Sequence, residues 1–450
     1  MRIVIAGAGR VGSNIVKDLS EEGHDITVID KDPQVVENIV NNYDVLGICG
    51  NCATFDIQKE AGVDKSDLFI TVTPSDELNV MCCMIAKKIG TRHTIARVRN
   101  PEYSKQLHFL REELGLSMLV NPEHEAANEI SRILRFPSAI KIDAFSKGLV
   151  ELAEIKIEEN NPFIDRPISD IYKNHKIEII VCAVQKKDNV FIPNGNFVLQ
   201  KGDKISLTAN RKNLSLFMKQ IGAYKQSIKR TMIIGGGKIG YYLASQLLEL
   251  GFKVKILEMN KERCIDLSDL LPKAEIICTD GTSEDQIKEC GVEEQDAVVC
   301  LTNIDEENII TSLYASSLGV RKTVTKINRM SNEMLDTIGI ESVISPKILA
   351  SNRVVKYVRA LQNSEGISVQ TIYNLVGGKV TALEFHIESE NEYTSIPFRS
   401  LPLKNNMIVC CLIRNHKVIF PRGDDTIEAG DNMIVVTTNR NINSIVDIFD

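Results

Sequence analysis

A long internal repeat limits what this chain can fold into more than any other feature. Gly7-Ala-Gly-Arg-Val-Gly12 returns as Gly235-Gly-Gly-Lys-Ile-Gly240, and the acid Asp30 returns as Glu258. Ile57-Gln-Lys-Glu-Ala-Gly-Val63 comes back one residue shorter as Ile287-Lys-Glu-Cys-Gly-Val292. Asp76-Glu-Leu-Asn79 matches Asp305-Glu-Glu-Asn308, and Ala96-Arg-Val98 matches Thr325-Lys-Ile327. The likeness continues downstream, where Pro193-Asn-Gly195 and Lys201-Gly-Asp203 return as Pro421-Arg-Gly423 and Ala429-Gly-Asp431. Two unit types, A and B, are therefore duplicated in the order A-B-A′-B′ at an offset of about 228 residues. A period that long is a duplication of whole domains rather than a solenoid. At 450 residues the chain is also too long for one hydrophobic core.

Each A unit alternates strand and helix. In the first, Arg2–Ala6 reads as an apolar strand and Val11–Glu22 as a helix closed by Gly23. Ile26–Ile29 is the next strand, after which Asp32-Pro33 offers an N-cap followed by proline at the first helical position. Leu68–Val72 and Thr94–Val98 are further strands with a helix between them ending at Gly90. Met118–Val120 then leads through Pro122 into a helix reaching about Arg135, before Pro137. Apolar strands in this βαβ rhythm imply a parallel sheet covered on both faces. Each B unit instead shows short alternating stretches, such as Leu149–Ile157, Ile177–Val184 and Lys204–Ala209, between Pro/Gly turns. The expected fold class is α/β: two Rossmann-like, doubly wound parallel-sheet domains, each followed by a small α+β domain.

A lone G-x-G-x-x-G is weak evidence in a chain with 27 glycines. Here the motif follows a strand, opens a helix and precedes a strand-end acid by 18 residues, and it does so twice. The first glycine permits the tight turn, the second lets backbone approach a pyrophosphate, and the third allows helix to pack on strand. Amides at the helix start then bind phosphate. Asp30 and Glu258 would accept hydrogen bonds from ribose hydroxyls and repel a 2′-phosphate, favouring NAD over NADP.

Arg10 and Lys238 take equivalent places inside the two loops. As plain surface residues they would sit unfavourably beside the positive end of a helix dipole. Beside ligand phosphates, charge-assisted hydrogen bonds offset that penalty. Later strand ends carry Asn51, Thr73-Pro74, Asp76 and Arg97, with counterparts Asp280, Thr302-Asn303, Asp305 and Lys326. In an open α/β sheet these places border the ligand crevice. Asn51 reads equally well as a turn residue, and Asp76 as the cap of a helix starting near Glu77.

Catalysis finds little support. Hydride transfer needs a proton donor or acceptor beside the nicotinamide, usually from a substrate domain larger than an ~80-residue B unit. The seven histidines (His24, His93, His108, His124, His175, His386 and His416) form no recurring pair with a carboxylate. No catalytic residue is assigned. The one Cys-x-x-Cys spacing, Cys49-Gly-Asn-Cys52, lacks the second pair a zinc site needs, so no metal is expected either. Most of the 11 cysteines lie in apolar stretches and read as reduced, buried thiols.

With a net charge of −7, no global positive field draws the chain to nucleic acid. No apolar run approaches the roughly 18 residues that cross a bilayer. The start, Met1-Arg2-Ile3-Val4-Ile5-Ala6, runs straight into the glycine motif without a signal-peptide layout, so a cytoplasmic location is expected.

The motifs Gly7-x-Gly-Arg-x-Gly12, Asp30, Gly50-Asn51, Thr73-x-x-Asp76-Glu77-x-Asn79 and Arg97-Val98 resemble the nucleotide-binding domain of the RCK (regulator of potassium conductance) family. The B units, with Pro193-x-Gly195 and Lys201-Gly-Asp203, are similar to the companion RCK C-terminal domain. The resemblance covers nearly the whole chain and implies domains at 1–123, 140–224, 228–350 and 366–450. It implies a non-catalytic regulatory subunit that binds NAD(H) and, in related members, ATP or ADP. It also implies an integral membrane potassium channel subunit (TrkH-like) as partner, with the chain peripheral on the inner face of the membrane. Eight A-type units per ring would make the protein a homotetramer. The first site would be Gly7, Gly9, Arg10, Val11, Asp30, Asn51, Thr73, Pro74 and Arg97. The second would be Gly235, Gly237, Lys238, Ile239, Glu258, Asp280, Thr302 and Lys326. Asn51 departs from the family's usual aspartate, and Cys52 from a small residue. A cytoplasmic NAD-dependent oxidoreductase and a regulator of another cation transporter are the rival readings.

Overall fold

The structure is a computed structural model of the full chain. It describes all residues except 112, 136–138, 146–148, 160, 188, 222–227, 329–339, 341, 364–368, 377–378, 416, 440–441, 443 and 450. Pro137, His416 and the expected domain edges at 224, 366 and 450 therefore lie outside the described residues.

The first A unit contains β1 (Arg2–Ala6), α1 (Arg10–Glu21), β2 (Asp25–Asp30), α2 (Pro33–Asn42), β3 (Leu46–Cys49) and α3 (Phe55–Glu60). It continues with β4 (Leu68–Thr71), α4 (Asp76–Ile89), β5 (His93–Arg97), α5 (Pro101–Leu110), β6 (Met118–Val120) and α6 (Pro122–Arg135). The first B unit follows as β7 (Ala139–Phe145), β8 (Val150–Lys156), α7 (Ser169–His175), β9 (Ile179–Lys186), β10 (Asn189–Phe191), β11 (Lys204–Ala209) and α8 (Arg211–Gln220). A′ opens with β12 (Arg230–Ile234), α9 (Lys238–Glu249), β13 (Lys253–Glu258), α10 (Lys261–Leu270), β14 (Glu275–Cys278) and α11 (Glu284–Glu289). It closes with β15 (Ala297–Cys300), α12 (Asp305–Ser317), β16 (Lys322–Lys326), β17 (Val343–Ile344) and α13 (Pro346–Asn363). B′ contributes β18 (Val369–Leu375), β19 (Val380–His386), β20 (Met407–Arg414), β21 (Lys417–Ile419) and β22 (Asn432–Thr437).

The A sheet is wholly parallel with order β3-β2-β1-β4-β5-β6, and A′ repeats it as β14-β13-β12-β15-β16-β17. Strand order reverses between β1 and β4, which opens a crevice at their carboxyl ends. Every residue of β4 is buried, as a strand covered by helices on both faces requires. The helix signals act as expected. Asp32 caps α2 by accepting from Gln34 N at 2.9 Å with Pro33 at the first position, and Gly90 ends α4 at φ +135°.

Met1–Ser131 and Ile228–Tyr357 cluster as one compact unit, so A and A′ pair within the chain. Helix α9 lies against α6: the Tyr242 hydroxyl accepts from Asn121 Nδ2 at 3.0 Å, and Gln246 Nε2 donates to Asn128 Oδ1 at 2.8 Å. The His124 and Tyr242 rings meet edge to face at 5.2 Å. Helix α13 returns the contact, with Ser351 Oγ donating to Asp18 Oδ2 at 2.5 Å. Burial of Tyr242 pushes its phenol up to about 12 despite the Asn121 hydrogen bond.

The B units form the second compact unit, Arg132–Ser227 with Val358–Asp450. Their antiparallel sheets are ordered β10-β9-β11-β8-β7 and β18-β19-β22-β20-β21. Strand β8 was expected to alternate, yet its first four residues are all buried. The reason is that both its faces are covered. Ala153 and Ile155 pack into the core of B with Phe163 and Phe217. Val150 and Leu152 join Cys182, Val380, Cys410 and Ile434 in a core shared with B′. At its centre Cys182 and Cys410, equivalent positions of the repeat, bring their sulfurs to 3.0 Å. Eight of the eleven cysteines are buried, which fits their use as small apolar side chains.

Candidate nucleotide sites

Sterics explain the first and third glycines of each loop. Gly7 adopts φ +96°, and a Cβ on Gly12 would stand 1.9 Å from the Gly7 carbonyl oxygen. In A′, Gly235 adopts φ +102° and a Cβ on Gly240 would stand 2.4 Å from the Gly235 oxygen. The middle glycines Gly9 and Gly237 face open space instead, the side from which a phosphate can approach backbone. Each is the N-cap of its helix, no side chain caps α1 or α9, and neither first turn contains an acid. The positive dipole ends are thus left for an anion. Arg10 and Lys238 are exposed at these helix starts, Val11 is half-buried and Ile239 is buried.

The strand-end acids brace the loops. Asp30 accepts from Ala8 N at 2.7 Å and Asp32 N at 3.1 Å. Glu258 does the same with Gly236 N at 2.7 Å and Asn260 N at 2.9 Å. Each carboxylate oxygen keeps a second lone pair for a ribose hydroxyl.

Asn51 and Asp280 are exposed turn residues, with Asn51 Oδ1 accepting from Ala53 N at 3.1 Å and Asp280 Oδ1 from Thr282 N at 3.0 Å. Thr73 and Arg97 do come together, since Arg97 Nη2 donates to the Thr73 carbonyl at 2.5 Å. Burial lowers the Arg97 pKa and Arg99 adds to it, against Glu123 and Asp76. In A′, burial likewise lowers Lys326, with Asp305 and Glu123 opposing and Arg10 assisting. Lys326 Nζ lies 3.4 Å from the Leu301 carbonyl, and Thr302 Oγ1 donates to the Ile304 carbonyl at 3.1 Å. The Pro74 carbonyl accepts from Arg99 Nη2.

Asp76 is not the helix cap. Ser75 fills that role by accepting from Leu78 N at 3.2 Å. Asp76 instead accepts from Arg99 N and Asn100 N at 2.9 and 2.8 Å, tying the loop after β5 to α4. Asp305 repeats this with Asn328 N at 2.8 Å. Sequence reasoning gave no role to Asn79 and Asn308, although both recur in the repeat. Asn79 is fully buried; its Oδ1 accepts from Thr73 N and Oγ1, and its Nδ2 donates to the carbonyls of Thr73 and Arg97. Asn308 repeats three of these four bonds, taking the Thr302 amide and donating to the carbonyls of Thr302 and Lys326.

Arg10 of A acts on Lys326 of A′. The Glu77 carboxyl of A is held below its usual range chiefly by hydrogen bonds from its own backbone, Ser75 and Tyr103, with Lys238 of A′ adding the least. Among the described residues no group of three or more His, Cys, Asp or Glu forms a metal site, and no helix is long and apolar enough to cross a membrane.

Comparison with known proteins agrees with this arrangement. Residues 3–122 and 231–346 match the TrkA-N domain family, and residues 152–222 match the TrkA-C domain family. A Trk system potassium uptake protein TrkA homolog of Archaeoglobus fulgidus is 31% identical over 450 residues, covering 100% of both chains. The solved RCK domain of GsuK superposes with a TM-score of 0.63 at 16% identity, over 97% of this chain and 92% of that one. The GsuK channel bound to NAD gives 0.63 at 15% identity, over 97% of this chain and 77% of that one. Duplicated parallel sheets, their glycine loops and full-length sequence identity together make this chain a member of the TrkA family of potassium uptake proteins.

Proposed function

We propose that the chain is a nucleotide-sensing, non-catalytic subunit that gates a membrane potassium channel of the TrkH-like kind. The observation that carries this reading is that two glycine loops, each with an uncapped helix start and a strand-end acid, lie on A units that pack together as one compact unit. A ligand shifts an equilibrium only through different affinity for its two states. Phosphates at either loop would change the electrostatic balance across the A–A′ junction, and so favour one mutual arrangement.

The proposed ligands are NAD(H) and ATP or ADP, in keeping with the NAD-bound GsuK channel of the same fold. Gly7, Gly9, Arg10, Val11, Asp30, Asn51, Thr73, Pro74 and Arg97 form the first proposed site, and their counterparts Gly235 to Lys326 the second. The proposed domains are 1–123, 140–224, 228–350 and 366–450, on a protein held at the cytoplasmic face by its partner. Repeated contacts that close on themselves favour a ring, here of four chains.

Calorimetric titration of the purified chain with NAD⁺, NADH, ATP and ADP tests the ligand reading. Light scattering coupled to size exclusion tests the assembly, with a tetramer expected. A stable monomer at micromolar concentration, with and without NADH, would overturn the ring and the gating built on it.

A further inference from the structure

We infer that the second nucleotide site accepts a dinucleotide bearing a phosphate on its adenosine 2′ oxygen, that the first refuses it, and that Arg263 sets the difference. This rests on reading both glycine loops as nucleotide sites.

The strand-end acids cannot separate the two sites, because Asp30 and Glu258 are tied to matching backbone amides at nearly the same distances. The difference lies one turn further on. Asp30-Lys-Asp-Pro-Gln-Val35 holds two acids and one base, whereas Glu258-Met-Asn-Lys-Glu-Arg263 holds two acids and two bases. The anionic cap Asp32 becomes neutral Asn260, and apolar Val35 becomes Arg263.

Arg263 is aimed at the loop. Its Nε donates to the Gly236 carbonyl at 2.9 Å, while the amide of the same residue is held by Glu258 Oε2 at 2.7 Å. Gly236 is thus gripped by the guanidinium on one side and by the ribose-binding carboxylate on the other. Helix α10 comes this close because residue 236 has no side chain: a Cβ there would stand 2.4 Å from Leu267 Cδ1. Leu267 is one helical turn from Arg263 and shares its face.

The Arg263 side chain is 29% exposed, and its bond to Gly236 uses Nε alone. Nη1 lies 3.8 Å from Asp266, whose side chain is 64% exposed, so that ion pair is weak. The terminal nitrogens therefore suit a second, stronger acceptor. In a dinucleotide fold the 2′ oxygen sits by the strand-end acid, and a nearby arginine accommodates a 2′-phosphate. A planar guanidinium binds phosphate through paired charge-assisted hydrogen bonds. The first site presents the carboxylates Asp30 and Asp32 to the same group, offset only by Lys31, and offers no guanidinium at Val35.

Calorimetry on the full chain decides the matter. NADH should fill two sites per chain and NADPH one. Arg263→Val should weaken NADPH roughly ten- to hundredfold more than it weakens NADH, because NADH shares the loop brace to Gly236 but not the charge-assisted contact to a 2′-phosphate. The double variant Asp32→Asn with Val35→Arg should gain a second NADPH equivalent, and it decides the question if Arg263→Val fails to fold. NADPH binding that ignores Arg263→Val, or exclusion of NADPH from both sites while NADH fills them, would overturn the inference alone. Failure of NADH to bind either site would overturn the nucleotide reading, and this inference with it.

Discussion

Replacing Asn79 by alanine isolates the link between the A fold and its candidate site. The side chain is fully buried and makes four hydrogen bonds, of 2.9 and 2.7 Å at Oδ1 and 3.1 and 2.9 Å at Nδ2. A net bond is worth about 1 kcal/mol, and stranded buried groups add their desolvation cost, so the clasp should contribute about 2–4 kcal/mol. At about 1.4 kcal/mol per factor of ten, that is a roughly thirty- to several-hundred-fold change in a local opening equilibrium. Global unfolding of so long a chain is not two-state, so hydrogen exchange at the Thr73 amide is the better assay. Protection there should fall by that factor, while the central amides of α4 keep theirs. Asn308→Ala should reproduce the loss at the Thr302 amide and leave Thr73 untouched. Protection at Thr73 unchanged within about threefold, less than one ordinary hydrogen bond, would refute the argument.

Asp30→Ala should weaken NADH at the first site by about 1–3 kcal/mol, read by calorimetry, because a hydrogen bond to a charged group is lost. The full chain incubated with NAD⁺ and a panel of alcohols, hydroxy acids and amino acids should reduce no cofactor; turnover above about 1 s⁻¹ in an absorbance assay would return the oxidoreductase reading. Asp296 gives a pH signature. Burial alone would raise its carboxyl, but the Arg230 and Lys229 amides and the Arg321 guanidinium outweigh burial and hold it below the usual range. A depressed carboxyl stabilises the fold above its unfolded pKa and loses that contribution as pH falls through the folded one. Asp296→Asn should therefore lower the melting temperature at pH 7, and the gap to the unaltered protein should narrow below about pH 4.

Much of the A unit was legible because its signals are local. Glycine spacing, the Asp32-Pro33 start and the apolar runs at Arg2–Ala6 and Leu68–Thr71 each depend on residues within a few positions. Strand β3 escaped notice because it is a four-residue edge with Leu46, Gly47 and Cys49 exposed, so it carries no burial pattern. Helices α3 and α5 were also missed. The strands of B misled for the opposite reason: Val150 and Leu152 are apolar toward a partner sheet that lies more than two hundred residues away in sequence. Asn79 gave a signal only through its recurrence, since nothing local distinguishes a buried asparagine clasp from a helix-surface amide. The cap reading of Asp76, left open beside the crevice reading, fails because its partners, the amides of Arg99 and Asn100, belong to a different strand end.

The core that B and B′ share places equivalent residues of the repeat, Cys182 and Cys410, in contact. Two such faces on separate chains would be an ordinary twofold dimer, subject to dilution and bound to carry every substitution twice. Joined in one polypeptide, the pairing becomes intramolecular, with an effective concentration set by the connecting chain rather than by expression level. A substitution then falls on one side only. The two halves can hold a common frame while Arg10 drifts from Lys238 and Val35 from Arg263, giving a paired assembly whose members need not answer to the same signal.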